Sequence, residues 1–160
     1  SDEERAQYSG ALARLATVYA VDAQRRASVT QPPFQSLTPS HGIVTTARDY
    51  AQFDLALRTG VLVRPETLAS AWRAPVDAAG KALPHAVGWF VQNYAGEPVV
   101  WQFGSGGDQR SSSMVITLPA RGVTLVLFAN STGLVRSFGL DRGDIGTSPF
   151  ARVFLALFTR

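Results

Sequence analysis

Val123-Thr124-Leu125-Val126-Leu127-Phe128-Ala129, "VTLVLFA", is apolar at nearly every position and rich in β-branched residues. Its seven residues are too few for an ordinary helix and suit a strand. An apolar run without alternation predicts a strand covered on both faces, as in the middle of a layered sheet. Pro119-Ala120-Arg121-Gly122 stands before it as a tight connection, and Ser112 to Leu118 before that reads as a partner strand.

Working back toward the amino terminus, the pattern repeats. From Ala86 onward Val87, Trp89 and Val91 alternate with Gly88, Phe90 and Gln92. Ala95-Gly96-Glu97-Pro98 is a turn signal, and Val99 to Phe103 is the returning strand. That strand leaves through "WQFGSGG", Trp101 to Gly107, with three glycines in its last four residues. Four strands in succession make an antiparallel meander, so the fold class is α+β.

Helices flank the meander. Thr46 is an N-cap with Asp49 as the capping-box acid, Ala47, Tyr50, Phe53 and Leu57 share one face, and Gly60 ends the helix. A shorter helix starts at Pro65 and Glu66, presents Leu68 and Trp72, and stops before Pro75. The last starts at Ser148-Pro149, and Phe150, Val153, Phe154, Leu157 and Phe158 form an apolar stripe expected on the sheet. Glu3 to Leu15 suits a short helix, Ala16 to Ala23 a strand, and Arg25 to Gly42 a long irregular segment. The chain therefore reads as one domain: an irregular lead-in over 1–41, then helices and antiparallel sheet over 42–160. The C-terminal helix and the Thr46 helix can cover the two faces of Val123 to Asn130, but its free edge finds no later strand. The sheet is expected to be incomplete on that side.

Composition narrows the function. With 160 residues, 46% hydrophobic and 17% charged, the chain can bury a real core. Its net charge of +3 is spread singly, Arg25-Arg26 being the one basic pair, so nucleic-acid binding is not expected. There is no cysteine, and His41 and His85 lie far apart outside any zinc-ligand spacing. Asp141 and Asp144 lack the calcium-loop frame. No metal or cofactor is expected. The longest apolar run, Val123 to Ala129, is far short of a membrane span. The acidic, polar start carries no export signal, which leaves the compartment open.

The ordered set of Gly42 to Phe53 ("GIVTTARDYAQF"), Val87-Gly88-Trp89-Phe90, "WQFGSGG", Met114 to Leu118 with Pro119-Ala120-Arg121-Gly122, and Leu125 to Ser131 ("LVLFANS") resembles the C-terminal half of the serine β-lactamase superfamily, in the branch of class C β-lactamases, D,D-peptidases and esterases. The resemblance spans residues 42 to 131, with the Pro149 helix in the matching place. It implies an incomplete β-lactamase/transpeptidase-like fold, in which a strand from the N-terminal half pairs with the strand at 123–130. It also implies an acyl-enzyme reaction without cofactor. Members of the family are often exported or periplasmic.

Three motifs carry that chemistry in the family, and one has a counterpart here. Lys81, the sole lysine, has Ala78 three positions before it, so Ser-x-x-Lys is absent. Tyr8, Tyr19, Tyr50 and Tyr94 are followed at the second position by Gly, Val, Gln and Gly, so Tyr-x-Asn/Ser is absent too. The third element, a Lys-Thr-Gly or His-x-Gly strand, matches Gln102-Phe103-Gly104. By resemblance these three residues line the substrate, and the Ser105 backbone N–H supplies half of an oxyanion hole. Gln102 brings neither charge nor an acid–base group, which favours a neutral ester or amide over a carboxylate.

Ser40-His41 has no placed carboxylate to orient it and reads as a turn; His85 reads as bland. Trp72, Trp89 and Trp101 read as core and sheet-face residues. Asp108-Gln109-Arg110 reads as solvated loop charge. Two functions follow. The first is the C-terminal portion of a serine hydrolase, inactive alone, whose partner at strand 123–130 is the missing N-terminal half or a second copy. The second is a non-catalytic module that holds a peptide or partner along the Gln102 to Gly107 edge.

Overall fold

The computed structural model describes residues 2–30, 43–105, 111–135 and 138–159. Its sheet starts at a two-residue turn: Ala95 and Gly96 have φ of 51° and 85°, the left-handed pair whose twist matches a hairpin. β3 (Phe90–Tyr94) and β4 (Glu97–Ser105) leave this turn in the register Tyr94 to Glu97 and Phe90 to Trp101. β5 (Ser112–Leu118) pairs with β4, and after the Pro119–Arg121 3-10 turn β6 (Val123–Ala129) pairs with β5. The order is β3-β4-β5-β6, all antiparallel, so the meander is present and β6 is an edge strand among the described residues.

Alternation gives this sheet one core face. Val99 and Trp101 of β4 and Met114, Ile116 and Leu118 of β5 are buried there, with Leu125 and Leu127 of β6 packed against them. Helix α4 (Pro149–Phe158) closes this face with Ala151, Phe154 and Leu155. Ser148 caps it as expected, accepting from Ala151 N, and its hydroxyl lies 3.8 Å from Met114 Sδ. The stripe that docks differs from the expected one: Phe150, Val153, Leu157 and Phe158 are exposed. The buried cap fixes the helix phase, and that phase turns Ala151, Phe154 and Leu155 inward.

The other face of the sheet carries Val100, Gln102, Gly104, Ser113, Val115, Thr124, Val126 and Phe128. Helix α2 (Ala47–Arg58) lies against β6 there, with Tyr50 edge-on to Phe128 and Arg58 Nη1 reaching Gly122 O. Its Thr46 cap accepts from Asp49 N as the sequence predicts. The face expected to be buried is instead half open, with Phe53 46% exposed. The buried residue is Asp54, ion-paired with Arg58 at 2.9 Å. Burial, and then the Asp54 charge, raise the Tyr50 phenol above its ordinary value of 10. A raised value means the native state holds the proton more tightly than the unfolded chain. The stability this gives is fully present below pH 10 and lost as pH rises through the native value. Spectrophotometric titration is expected to show Tyr50 ionising above the ordinary tyrosine value, and Asp54→Asn to bring it partway back. Helix α3 (Pro65–Ala71) follows, with Leu68 buried.

Two further expectations change. Residues 86–89 are not strand: Gly88 has φ of 75° and Val87 is exposed, so β3 begins only at Phe90. In the lead-in, α1 (Asp2–Leu12) starts one residue before its predicted span and β1 (Val18–Val21) falls within its own, but the segment expected to be irregular contains β2 (Ala27–Thr30), antiparallel to β1. A non-glycine turn at Arg25, φ 62°, closes this hairpin, stabilised by Arg26 N and Nε on the Asp22 carboxylate. The hairpin touches the end of β6, where Tyr19 N donates to Asn130 O and Asn130 Nδ2 to Thr17 O.

Candidate active site

Hydrogen-bond direction along β4 follows from its turn. The closing pair Tyr94–Glu97 is of the hydrogen-bonded kind, and such pairs alternate with the other kind along an antiparallel ladder. Val99 and Trp101 therefore bond toward β3, and Gln102 and Gly104 toward β5. Phe103 and Ser105 point back toward the β3 side, where the ladder has already ended at Phe90–Trp101. Beyond that pair the edge of β4 meets no strand among the described residues, and its N–H groups are those of Phe103 and Ser105.

The first of these is covered from within. Gln102 Oε1 accepts from Phe103 N at 2.9 Å, while Gln102 Nε2 donates to Gly88 O at 2.9 Å. The carboxamide thus spends both ends on the chain itself and ties β4 to the 86–89 segment. Phe103 sends its ring to the core face, in a series with Trp101 at 6.0 Å and Phe90 at 5.7 Å. Ser105, the last residue of β4, is exposed and opposite Ser112.

Gly104 sits in the row Gly104–Ser113–Phe128 across β4, β5 and β6. A Cβ on Gly104 would lie 2.6 Å from Ser113 Oγ, so any side chain here would have to turn that hydroxyl aside. Sequence reasoning missed Ser113. Its signal was available in the register, since it stands directly across from the motif glycine on the same face. The adjacent Ser112 is buried and structural: its hydroxyl donates to Ser131 O and accepts from Leu134 N.

Other candidates fall elsewhere. His85 lies tilted against Phe90 with ring centroids 4.1 Å apart, and Trp72 meets Trp89 edge-on at 6.0 Å. Asp144 caps the Ile145–Thr147 turn and accepts from Gln92 Nε2, while Gln92 Oε1 accepts from Ile145 N. Ser40-His41, Gly106, Gly107 and Asp108-Gln109-Arg110 lie outside the described residues. Among the described residues no three His, Cys, Asp or Glu side chains group as a metal site, and no helix is long and apolar enough to cross a membrane. An uncharged groove of about 450 Å³ runs along the outer side of β3, lined among others by Leu83, Pro84, Val91 and Pro98, and does not include Gly104 or Ser105.

The family model described as Beta-lactamase matches residues 3–146. No curated protein matches the chain. Among solved structures, the octameric penicillin-binding protein homologue from Pyrococcus abyssi is similar at 18% identity and a TM-score of 0.68, over 91% of this chain and 31% of that one. That likeness is one of fold, and this chain spans less than a third of the length of that structure.

Proposed function

The chain belongs to the Beta-lactamase family, and from that premise we propose that it forms the C-terminal portion of a serine hydrolase acting on ester, amide or lactam carbonyls. The observation that carries this reading is the free end of β4, where the Ser105 N–H points off the sheet beside Gly104. In an intact enzyme this N–H and the nucleophile's own N–H would polarise the scissile carbonyl and stabilise the developing oxyanion. A serine from outside residues 1–160 attacks the carbonyl, the C–O or C–N bond breaks as the acyl-enzyme forms, the serine's proton goes to the departing alcohol or amine (still tethered in an opened lactam), and water then releases the acid and restores the serine. Gln102 positions the wall by fastening it to Gly88, and Tyr50, with its raised phenol, is not an activated base.

The join to the missing part is the edge of β6. By the same alternation, Leu125 and Leu127 bond to β5, and Thr124, Val126 and Phe128 turn their N–H and C=O groups outward. This main-chain edge suits a strand from the nucleophile-bearing half or from a second copy. The relative described as octameric is an assembly in its own right.

The purified chain is expected to release no product from a chromogenic ester or cephalosporin. Expressed together with the coding sequence upstream of Ser1, it is expected to gain turnover and a serine-linked acyl adduct visible by mass spectrometry. Turnover by the 160-residue chain alone sinks the reading. An upstream sequence without Ser-x-x-Lys favours the non-catalytic binding module.

A further inference from the structure

The polar groups that β4 could offer a ligand are fewer than its sequence suggests. Gln102 is occupied at both ends of its carboxamide, and Phe103 N–H is covered by it. The Phe103 side chain has no hydroxyl and stacks on the opposite face. On the face shared with α2 one hydroxyl remains at the wall, that of Ser113, half-buried and leaning over Gly104. It makes no hydrogen bond to another described residue, whereas its neighbour Ser112 makes two. On the far side of Ser113 in the same row stands Phe128, 40% exposed on the sheet surface.

We propose that Ser113 is a ligand-recognition residue of this wall, reading an uncharged polar group of the substrate beside an apolar substituent that packs on Phe128. The proposal rests on the reading of β4 as a cleft wall and deepens it by naming the substrate class. A hydroxyl donates and accepts one hydrogen bond in either sense, so it suits an ester, amide or hydroxyl group and gives a carboxylate no charge to pair with. The row places hydrogen-bonding and apolar contacts side by side, and Ser105 N–H lies at the free edge one residue beyond Gly104. The ligand class is therefore a neutral acyl ester or amide with an apolar acyl chain.

The test uses the full chain, labelled with ¹⁵N, titrated with a neutral butyrate ester and separately with N-acetyl-D-alanyl-D-alanine as the carboxylate probe. The ester is expected to shift the Gly104 and Ser105 amides and to bind more tightly than the carboxylate. Ser113→Ala is expected to weaken the ester about fivefold, the worth of one neutral hydrogen bond, and Ser113→Thr to restore most of the loss. The dispersion of the remaining amide signals reports that each variant is folded. Unchanged ester affinity in Ser113→Ala, tighter binding of the carboxylate, or no shift at Gly104 and Ser105 up to the solubility limit overturns the proposal. An upstream sequence without Ser-x-x-Lys removes the hydrolase reading and leaves this binding result standing, so the two failures are distinct.

Discussion

Trp101→Ala is expected to cost about 3–5 kcal/mol of folding free energy, the largest effect of any single substitution in the sheet. Trp101 is fully buried, centred on the core face of β4, and stacked on Phe90 with ring centroids 4.2 Å apart. Removing the indole loses its transfer free energy and leaves a cavity between β4, β5 and α4 that the strand ladder prevents from closing. Set against a typical domain stability of about 5–15 kcal/mol, the loss takes a large fraction of the total. Urea denaturation followed by far-ultraviolet circular dichroism gives the value. Trp101→Phe is the informative companion. It shrinks the ring and also removes the buried indole Nε1, which has no hydrogen-bond partner among the described residues. Its loss is therefore expected to be well under half that of alanine. A cost below about 1 kcal/mol for Trp101→Ala contradicts the packing described here.

Gly143→Ala is expected to cost about 2–4 kcal/mol, from overpacking together with a left-handed backbone. Gly143 has φ of 79°, and a Cβ there would meet Pro84 Cβ at 2.4 Å and Cγ at 2.8 Å. A proline ring cannot swing away, so the connection after β6 must separate from the segment that precedes β3. Gly96→Ala separates the two causes. Its φ is 85° with nothing within 4 Å, so it carries the backbone strain alone and is expected to lose about 1–2 kcal/mol. Equal losses in the two variants show that the Pro84 contact contributes nothing.

Much of this architecture was legible in the chain. The Thr46 and Ser148 caps, the Pro65 helix start, the hairpin at Pro119 to Gly122 and all four meander strands are local signals, written in residues close in sequence. The face that α4 buries was misjudged, because five apolar residues on a helix surface leave its rotation open until the buried Ser148 is known. The start of β3 was misjudged because period-two alternation continues through Gly88, whose positive φ ends the strand. The motif match drew attention to Gln102 and Gly104. The placement of the carboxamide and of the Ser113 hydroxyl depends on Gly88 and on a neighbouring strand, and these are tertiary facts.

The outward edge of β6 has a consequence for how this sequence can change over time. A strand held there is held by main-chain groups, which every residue but proline carries alike. Its side chains need only alternate between the two faces, so a strand covering this edge would be free to drift far in identity without weakening the join. Residues beneath the sheet have no such freedom, because Trp101, Met114 and Ile116 are fixed by shape. Divergence is therefore expected to run fast along any strand that covers β6 and slowly through the core face of the sheet.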